Sequence, residues 1–176
     1  QTIYSTLKNH KAQKLVRIEG LAASIASVVA MAGDLIVMPE NATLMVHDPF
    51  GMAMGNSDDM RKMAEALDTI KLGIIAAYRD KTGLDDETIS NLMSEETWMD
   101  SKKALELKFT DYVEEPVKIA ASFDLSKFKK APHIEARASD HVKEELFPTR
   151  EIPVVQDFTT TPKEVKNMVL LIIKDK

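Results

Sequence analysis

Ser24 stands in the small-residue stretch Gly20-Leu21-Ala22-Ala23-Ser24-Ile25-Ala26-Ser27, and His47 follows 23 positions later in Met45-Val46-His47-Asp48-Pro49. A serine hydroxyl is a poor nucleophile at neutral pH until an adjacent base takes its proton. Gly20 interrupts an apolar run, so Ser24 falls where a strand turns into a helix. A helix start offers free backbone N–H groups and a favourable dipole to a developing oxyanion. Read locally, this is serine hydrolase chemistry. The pattern is not Gly-x-Ser-x-Gly, so the α/β-hydrolase elbow motif does not support it, and the competing reading of Ser24 is a small residue that permits close helix packing. Ser27, almost one turn further on, reads as a packed interior residue. His47 ends an apolar strand just before Asp-Pro, which suits either an imidazole at a cleft or a satisfied core histidine. His10, at a helix end, and His133 and His141, in a polar region, are weaker candidates.

A nucleophile–base pair also needs a carboxylate to orient the imidazole. The segment Ser94-Glu95-Glu96-Thr97-Trp98-Met99-Asp100, read as a loop, offers three. Asp100 precedes a helix and is more simply its N-cap; Glu95 and Glu96 are not separated by spacing. Trp98 is the sole tryptophan and reads as the anchor of this loop. Met52, Met54, Met60 and Met63 form an adaptable cluster suited to core or subunit packing rather than to a cofactor. No phosphate loop, metal-ligand spacing or dinucleotide fingerprint is present, so neither cofactor nor metal is expected.

The elements that must position these residues follow from periodicity. Residues 1–11 have helical spacing through Ile3, Tyr4 and Leu7. Lys14 to Glu19 alternates as a strand, Ala22 to Met31 reads as a small-residue helix ended by Gly33, and Leu35–Met38 and Thr43–His47 read as short strands. After the Gly-, Pro- and Met-rich loop from Asp48 to Gly55, Ser57 reads as the cap of a long helix. Its apolar face runs through Met60, Met63, Ala64, Leu67, Ile70, Ile74 and Ala77 to Gly83. Asp85 caps a helix to Met93, a further helix spans about 101–107, and Phe109–Val113 reads as a strand. This alternation predicts an α/β layered fold with parallel pairings. Residues 131–153 are polar, with three prolines and little periodicity, and read as a linker or extension.

The bulk properties fit a globular domain with an appendage: 176 residues, 44% hydrophobic and 29% charged. A net charge of −5 without a basic patch argues against nucleic-acid binding. The chain has no cysteine, which excludes disulfides and fits a reducing compartment. Leu21 to Ala32 is too short to span a bilayer, and no basic n-region precedes an apolar stretch. The expected location is therefore cytoplasmic. The chain opens on Gln1 inside a helical pattern, which reads as a fragment.

Taken together, Gly20-Leu21-Ala22-Ala23-Ser24, Met45-Val46-His47-Asp48-Pro49, Thr82-Gly83 and Glu96-Thr97-Trp98-Met99 resemble the Clp protease proteolytic subunit. The likeness is strongest to its bacteriophage branch, the head maturation (prohead) proteases. It is carried there by Met31-Ala32-Gly33-Asp34, Val37-Met38-Pro39-Glu40-Asn41-Ala42 and Ala120-Ala121-Ser122-Phe123-Asp124. The resemblance spans residues 1–130, leaving 131–176 as an extension or linker. It implies a ClpP/crotonase-like fold of repeated ββα units, truncated at its N-terminus, and an endopeptidase that needs no cofactor. In this reading Ser24 is the nucleophile, His47 the base and Glu96 the carboxylate, in place of the family's aspartate. Ile25 N–H is one oxyanion donor; the other belongs to a Gly-Gly loop expected ahead of Gln1. Also implied are protein or peptide substrates, in the phage branch capsid or scaffold precursors met in the host cytoplasm or prohead. The helix over 57–82 is implied as the contact of a homo-oligomeric ring. A housekeeping bacterial ClpP-like protease, a crotonase-type acyl-CoA enzyme and an inactive assembly module are the competing functions.

Overall fold

Two small sheets carry the chain, and the site lies where one of them gives way to helix. The computed structural model describes residues 1–117 and 125–132 and the strand at 171–172. In chain order the elements are α1 (Thr2–Lys8), β1 (Leu15–Arg17), β2 (Leu21–Ala23), α2 (Ile25–Ala30), β3 (Leu35–Pro39), β4 (Thr43–Val46) and α3 (Ser57–Thr82). They continue with α4 (Asp86–Ser94), β5 (Thr97–Asp100), α5 (Ser101–Glu106), β6 (Tyr112–Glu114) and β7 (Leu171–Ile172). The first sheet has order β6-β3-β1-β7, all parallel, and the second has order β2-β4-β5. The fold is mixed α/β. Its last strand, β7, comes from the apolar segment near the C-terminus, and the remainder of the extension read over 131–176 lies outside the described residues apart from Ala131 and Pro132.

Three elements differ from the sequence reading, each for a tertiary reason. Leu21–Ala23 is a strand, so Ala22 and Ala23 are not the start of the helix expected over Ala22 to Met31: the strand pairs with Thr43–Met45, and Thr43 N–H donates to Gly20 C=O at 2.7 Å. Alanine favours helix, but all three residues are buried in the sheet, and pairing prevails over propensity. Thr97–Asp100, expected as loop, is strand β5, antiparallel to β4 with Trp98 opposite Met45. That antiparallel pairing adds to the parallel ones expected from the α/β alternation. The strand expected over 109–113 begins only at Tyr112, because Phe109 and Thr110 turn inward: Phe109 N–H donates to Ala104 C=O and the Thr110 hydroxyl to Ile36 C=O.

The core between the layers contains Val16, Ile36, Met38, Leu44, Met99 and Phe109, all almost fully buried. Gly33 does not end α2 in a left-handed conformation; the cap is Met31 with φ −65°. Gly33 is required instead by close approach, since a Cβ there would stand 2.8 Å from Val16 Cγ2. Helix α3 starts from Asn56 rather than Ser57. The Asn56 side chain accepts from Asp58 and Asp59 N–H while Asp59 returns a bond to Asn56 N–H, a reciprocal capping box. The helix ends at Gly83, whose φ of 71° is left-handed. The apolar stripe of α3 is buried only from Ile74 onward; Met60 and Ile70 each keep 43% of their surface exposed.

Candidate active site

Strand β2 runs directly into α2, and Ser24 is the residue at the corner. Its φ of 58° and ψ of −124° lie far from ordinary serine geometry, a strain worth roughly 1–3 kcal/mol that persists only where surroundings hold it. Ser24 N–H donates to Met45 C=O at 3.1 Å, tying the corner to β4. Ser24 C=O accepts from Ser27 N–H, Val28 N–H and the Ser27 hydroxyl, the last at 2.6 Å. Ser27 Oγ lies 2.7 Å from the Tyr78 hydroxyl of α3. Ser27 is packed inside, as its helical position suggested, and Tyr78 is 1% exposed. Burial pushes the Tyr78 phenol well above its ordinary value, so it stays a neutral donor.

His47 is the first residue beyond β4. The parallel register of β2 and β4 sets Ala23 beside Met45 and so brings the ends of both strands together. His47 Nε2 stands 2.7 Å from Ser24 Oγ. With the ring proton on Nδ1, Nε2 accepts from the serine hydroxyl and can take its proton. Burial lowers the His47 pKa below the ordinary histidine value, opposed by the Glu96 and Asp48 carboxylates. The neutral imidazole, the form that acts as a base, is therefore favoured. The next residue, Asp48, anchors the turn: its N–H donates to Met93 C=O, and its carboxylate pairs with Lys71 of α3 at 2.8 Å.

The three candidate carboxylates are separated by their contacts. Asp100 caps α5 by accepting from Lys103 N–H. Glu95 is the exposed C-cap residue of α4. Glu96 has a left-handed φ of 51° and turns inward at the start of β5. Its carboxylate accepts from Trp98 Nε1 at 3.3 Å, Lys129 N–H at 3.0 Å and Lys130 N–H at 2.6 Å. Partial burial works to raise the Glu96 pKa, but these donors and the His47 ring prevail and hold it below the ordinary carboxylate value. Among the described residues no hydrogen bond joins Glu96 to His47; the two interact through space.

Ser24 and His47 open on a cleft of about 270 Å³ whose walls include Ile25, Phe50, Leu67 and Ile70. The lining is apolar apart from Ser24, His47 and Tyr78. Among the described residues no group of three or more acidic, histidine or cysteine side chains converges as a metal site would require. No described helix is long and apolar enough to cross a membrane. The methionines at 52 and 54, expected in core or interface, are 93% and 98% exposed on the rim loop. Tyr78 and Phe128 were not singled out by sequence; Tyr78 falls one turn beyond Ile74 on the α3 stripe, and Phe128 lies in a basic-aromatic run with no periodicity.

A hydroxyl on a strained strand–helix corner, bonded to an imidazole and facing an apolar cleft, is the layout of a nucleophilic hydrolase site. The chain belongs to the Clp protease family, whose profile matches residues 1–116. It is 31% identical over 112 residues to the ATP-dependent Clp protease proteolytic subunit of Ligilactobacillus salivarius (strain UCC118), covering 62% of this chain and 56% of that protein. It is 30% identical over 115 residues to the subunit of the same description from Leuconostoc citreum (strain KM20), covering 62% and 57%. The chain thus spans just over half the length of these curated relatives.

Proposed function

We propose that this protein is a serine endopeptidase of the Clp type in which Ser24 is the nucleophile and His47 the general base. The single observation that carries this is the 2.7 Å approach of Ser24 Oγ to His47 Nε2 at a strained corner. In the first step Ser24 Oγ attacks the scissile carbonyl as its proton passes to His47 Nε2, forming a tetrahedral oxyanion. Ile25 N–H, at the first position of α2, has no partner within the helix and points to one oxyanion donor. Collapse expels the amine, which takes the proton from His47, and leaves an acyl-Ser24 ester. Water then attacks the ester with His47 again as base. Glu96 favours the imidazolium of each transition state by its charge, held as an anion by three N–H donors.

The finer reading follows the resemblance to the phage branch: the substrates are capsid or scaffold precursors, and the enzyme acts as a homo-oligomeric ring. The exposed apolar residues Met60, Ile70 and Leu72 on α3 favour that helix as a subunit contact. The strand–strand–helix order occurs twice, as β1-β2-α2 and β3-β4-α3, which favours a crotonase-like repeat. Residues 1–130 then form the peptidase domain, with 131–176 as its extension. The test is labelling of the assembled full-length protein with a fluorophosphonate. Stoichiometric modification of Ser24, abolished in Ser24→Ala, supports the reading; absence of label, or label that survives Ser24→Ala, overturns it. Cleavage of a capsid precursor but not of casein supports the finer substrate reading, and the reverse result removes it.

A further inference from the structure

Residues 125–130 lie beyond the family-matched residues 1–116, yet they pack against the candidate site. Phe128 N–H donates to Leu125 C=O at 3.0 Å, bending this segment into a turn. From that turn Leu125 and Phe128 pack on Leu21, Ala23 and Met45, the strand residues that carry Ser24 and His47. The Phe128 ring meets His47 edge-on, with centroids 5.4 Å apart and planes at 87°, and meets Trp98 at 5.7 Å and 80°. The next two backbone amides, Lys129 and Lys130, each donate to one oxygen of Glu96. One short segment therefore touches both the imidazole and the carboxylate.

We propose that Leu125–Lys130 is a positioning clamp of this site, with Phe128 holding the His47 imidazole toward Ser24 and the Lys129 and Lys130 amides holding Glu96. The clamp rests on the peptidase reading of the Ser24–His47 pair. An edge-on aromatic restricts rotation of the imidazole and keeps water from its flank, while two amides on one carboxylate leave it little freedom to turn. Holding a base within hydrogen-bond reach of the proton it abstracts is part of the 10²–10⁴-fold that such a base contributes.

The test uses the full chain with Phe128→Ala, Phe128→Leu and Phe128→Tyr. Expected is a fall of roughly 10-fold or more in the rate of Ser24 labelling for Phe128→Ala, a fraction of that base contribution. Phe128→Leu, which keeps apolar volume, should stay low, while Phe128→Tyr, which keeps the ring edge, should recover most of the rate. For peptide cleavage the loss should fall on kcat rather than KM. An unchanged rate in Phe128→Ala, or equal rates for Leu and Tyr, overturns the clamp; a faster rate shows that the segment is a cover instead. Nuclear magnetic resonance titration of His47 stands apart from activity. Phe128→Ala should move that titration up toward the ordinary histidine value as the ring becomes wetter, and an unmoved titration overturns the clamp even in a protein that does not label. Absence of label in the unsubstituted protein would instead overturn the peptidase reading.

Discussion

The contact between Ser27 and Tyr78 allows a prediction whose sign reverses with background. The Tyr78 hydroxyl is buried and Ser27 Oγ is its partner at 2.7 Å, while the Ser27 hydroxyl proton points to Ser24 C=O at 2.6 Å. Tyr78→Phe removes one neutral hydrogen bond and leaves Ser27 still bonded to Ser24, a loss of about 1 kcal/mol. Ser27→Ala removes its bond to Ser24 C=O and also leaves the buried phenol without its partner. The orphaned hydroxyl adds about 1–3 kcal/mol, so the total is about 2–4 kcal/mol. Ser24 C=O keeps the Ser27 and Val28 amides in every variant. In the Ser27→Ala background, Tyr78→Phe removes the orphaned group and should be neutral or stabilising. Denaturant unfolding can follow this through Trp98, the only tryptophan, with the coupling read from a double-mutant cycle. The same proteins should show slower fluorophosphonate labelling for Ser27→Ala than for Tyr78→Phe, because only the former loosens the strained corner directly. If Tyr78→Phe destabilises by the same amount in both backgrounds, the two hydroxyls are not coupled and the argument fails.

Because burial favours neutral His47, the rate of Ser24 labelling should be flat near neutral pH. Its acid limb should lie below the ordinary histidine value of 6.5, as the base is lost when the ring is protonated; a limb above 6.5 contradicts the buried-imidazole account. Glu96→Gln keeps one acceptor for Lys130 N–H but turns an amide donor toward Lys129 N–H or the reverse. It should slow labelling by roughly 10–10²-fold, less than the ~10⁴-fold loss when a carboxylate bonded directly to its histidine is neutralised, and should move the acid limb lower. A loss near 10⁴-fold would show a direct Glu96–His47 bond in the working enzyme. Gly33→Ala should destabilise by about 1–3 kcal/mol through overpacking against Val16, read as a lowered unfolding midpoint with its denaturant slope unchanged. Asn56→Ala removes the capping box of α3 and should lower stability by about 1 kcal/mol, and retention of full stability would show that α3 does not depend on its cap.

Much of the candidate site was legible because its residue types stand in local patterns. Ser24 follows a small-residue strand, His47 follows an apolar one, and the 23-residue spacing fits a helix–strand–strand excursion that returns beside its start. The Asp85 and Asp100 caps and the left-handed Gly83 were equally readable, since capping depends on side chains within a few residues. What could not be read depends on contacts distant in sequence. Ala22 and Ala23 favour helix by themselves and become strand because Thr43–Met45 pairs with them. Thr97–Asp100 becomes strand through pairing with β4, a register that no short window contains. The different settings of Glu95 and Glu96 rest on a left-handed turn at Glu96 and on amides 33 and 34 residues away. The sequence by itself therefore determined the candidate residue types, the Asp85, Asp100 and Gly83 caps and the α/β alternation, because these depend on neighbours a few residues apart, while the caps read at Ser57 and Gly33 moved to Asn56 and Met31. Only the tertiary structure decided the 2.7 Å bond, the strained corner and the partners of Glu96, because each depends on strands and turns brought together by packing.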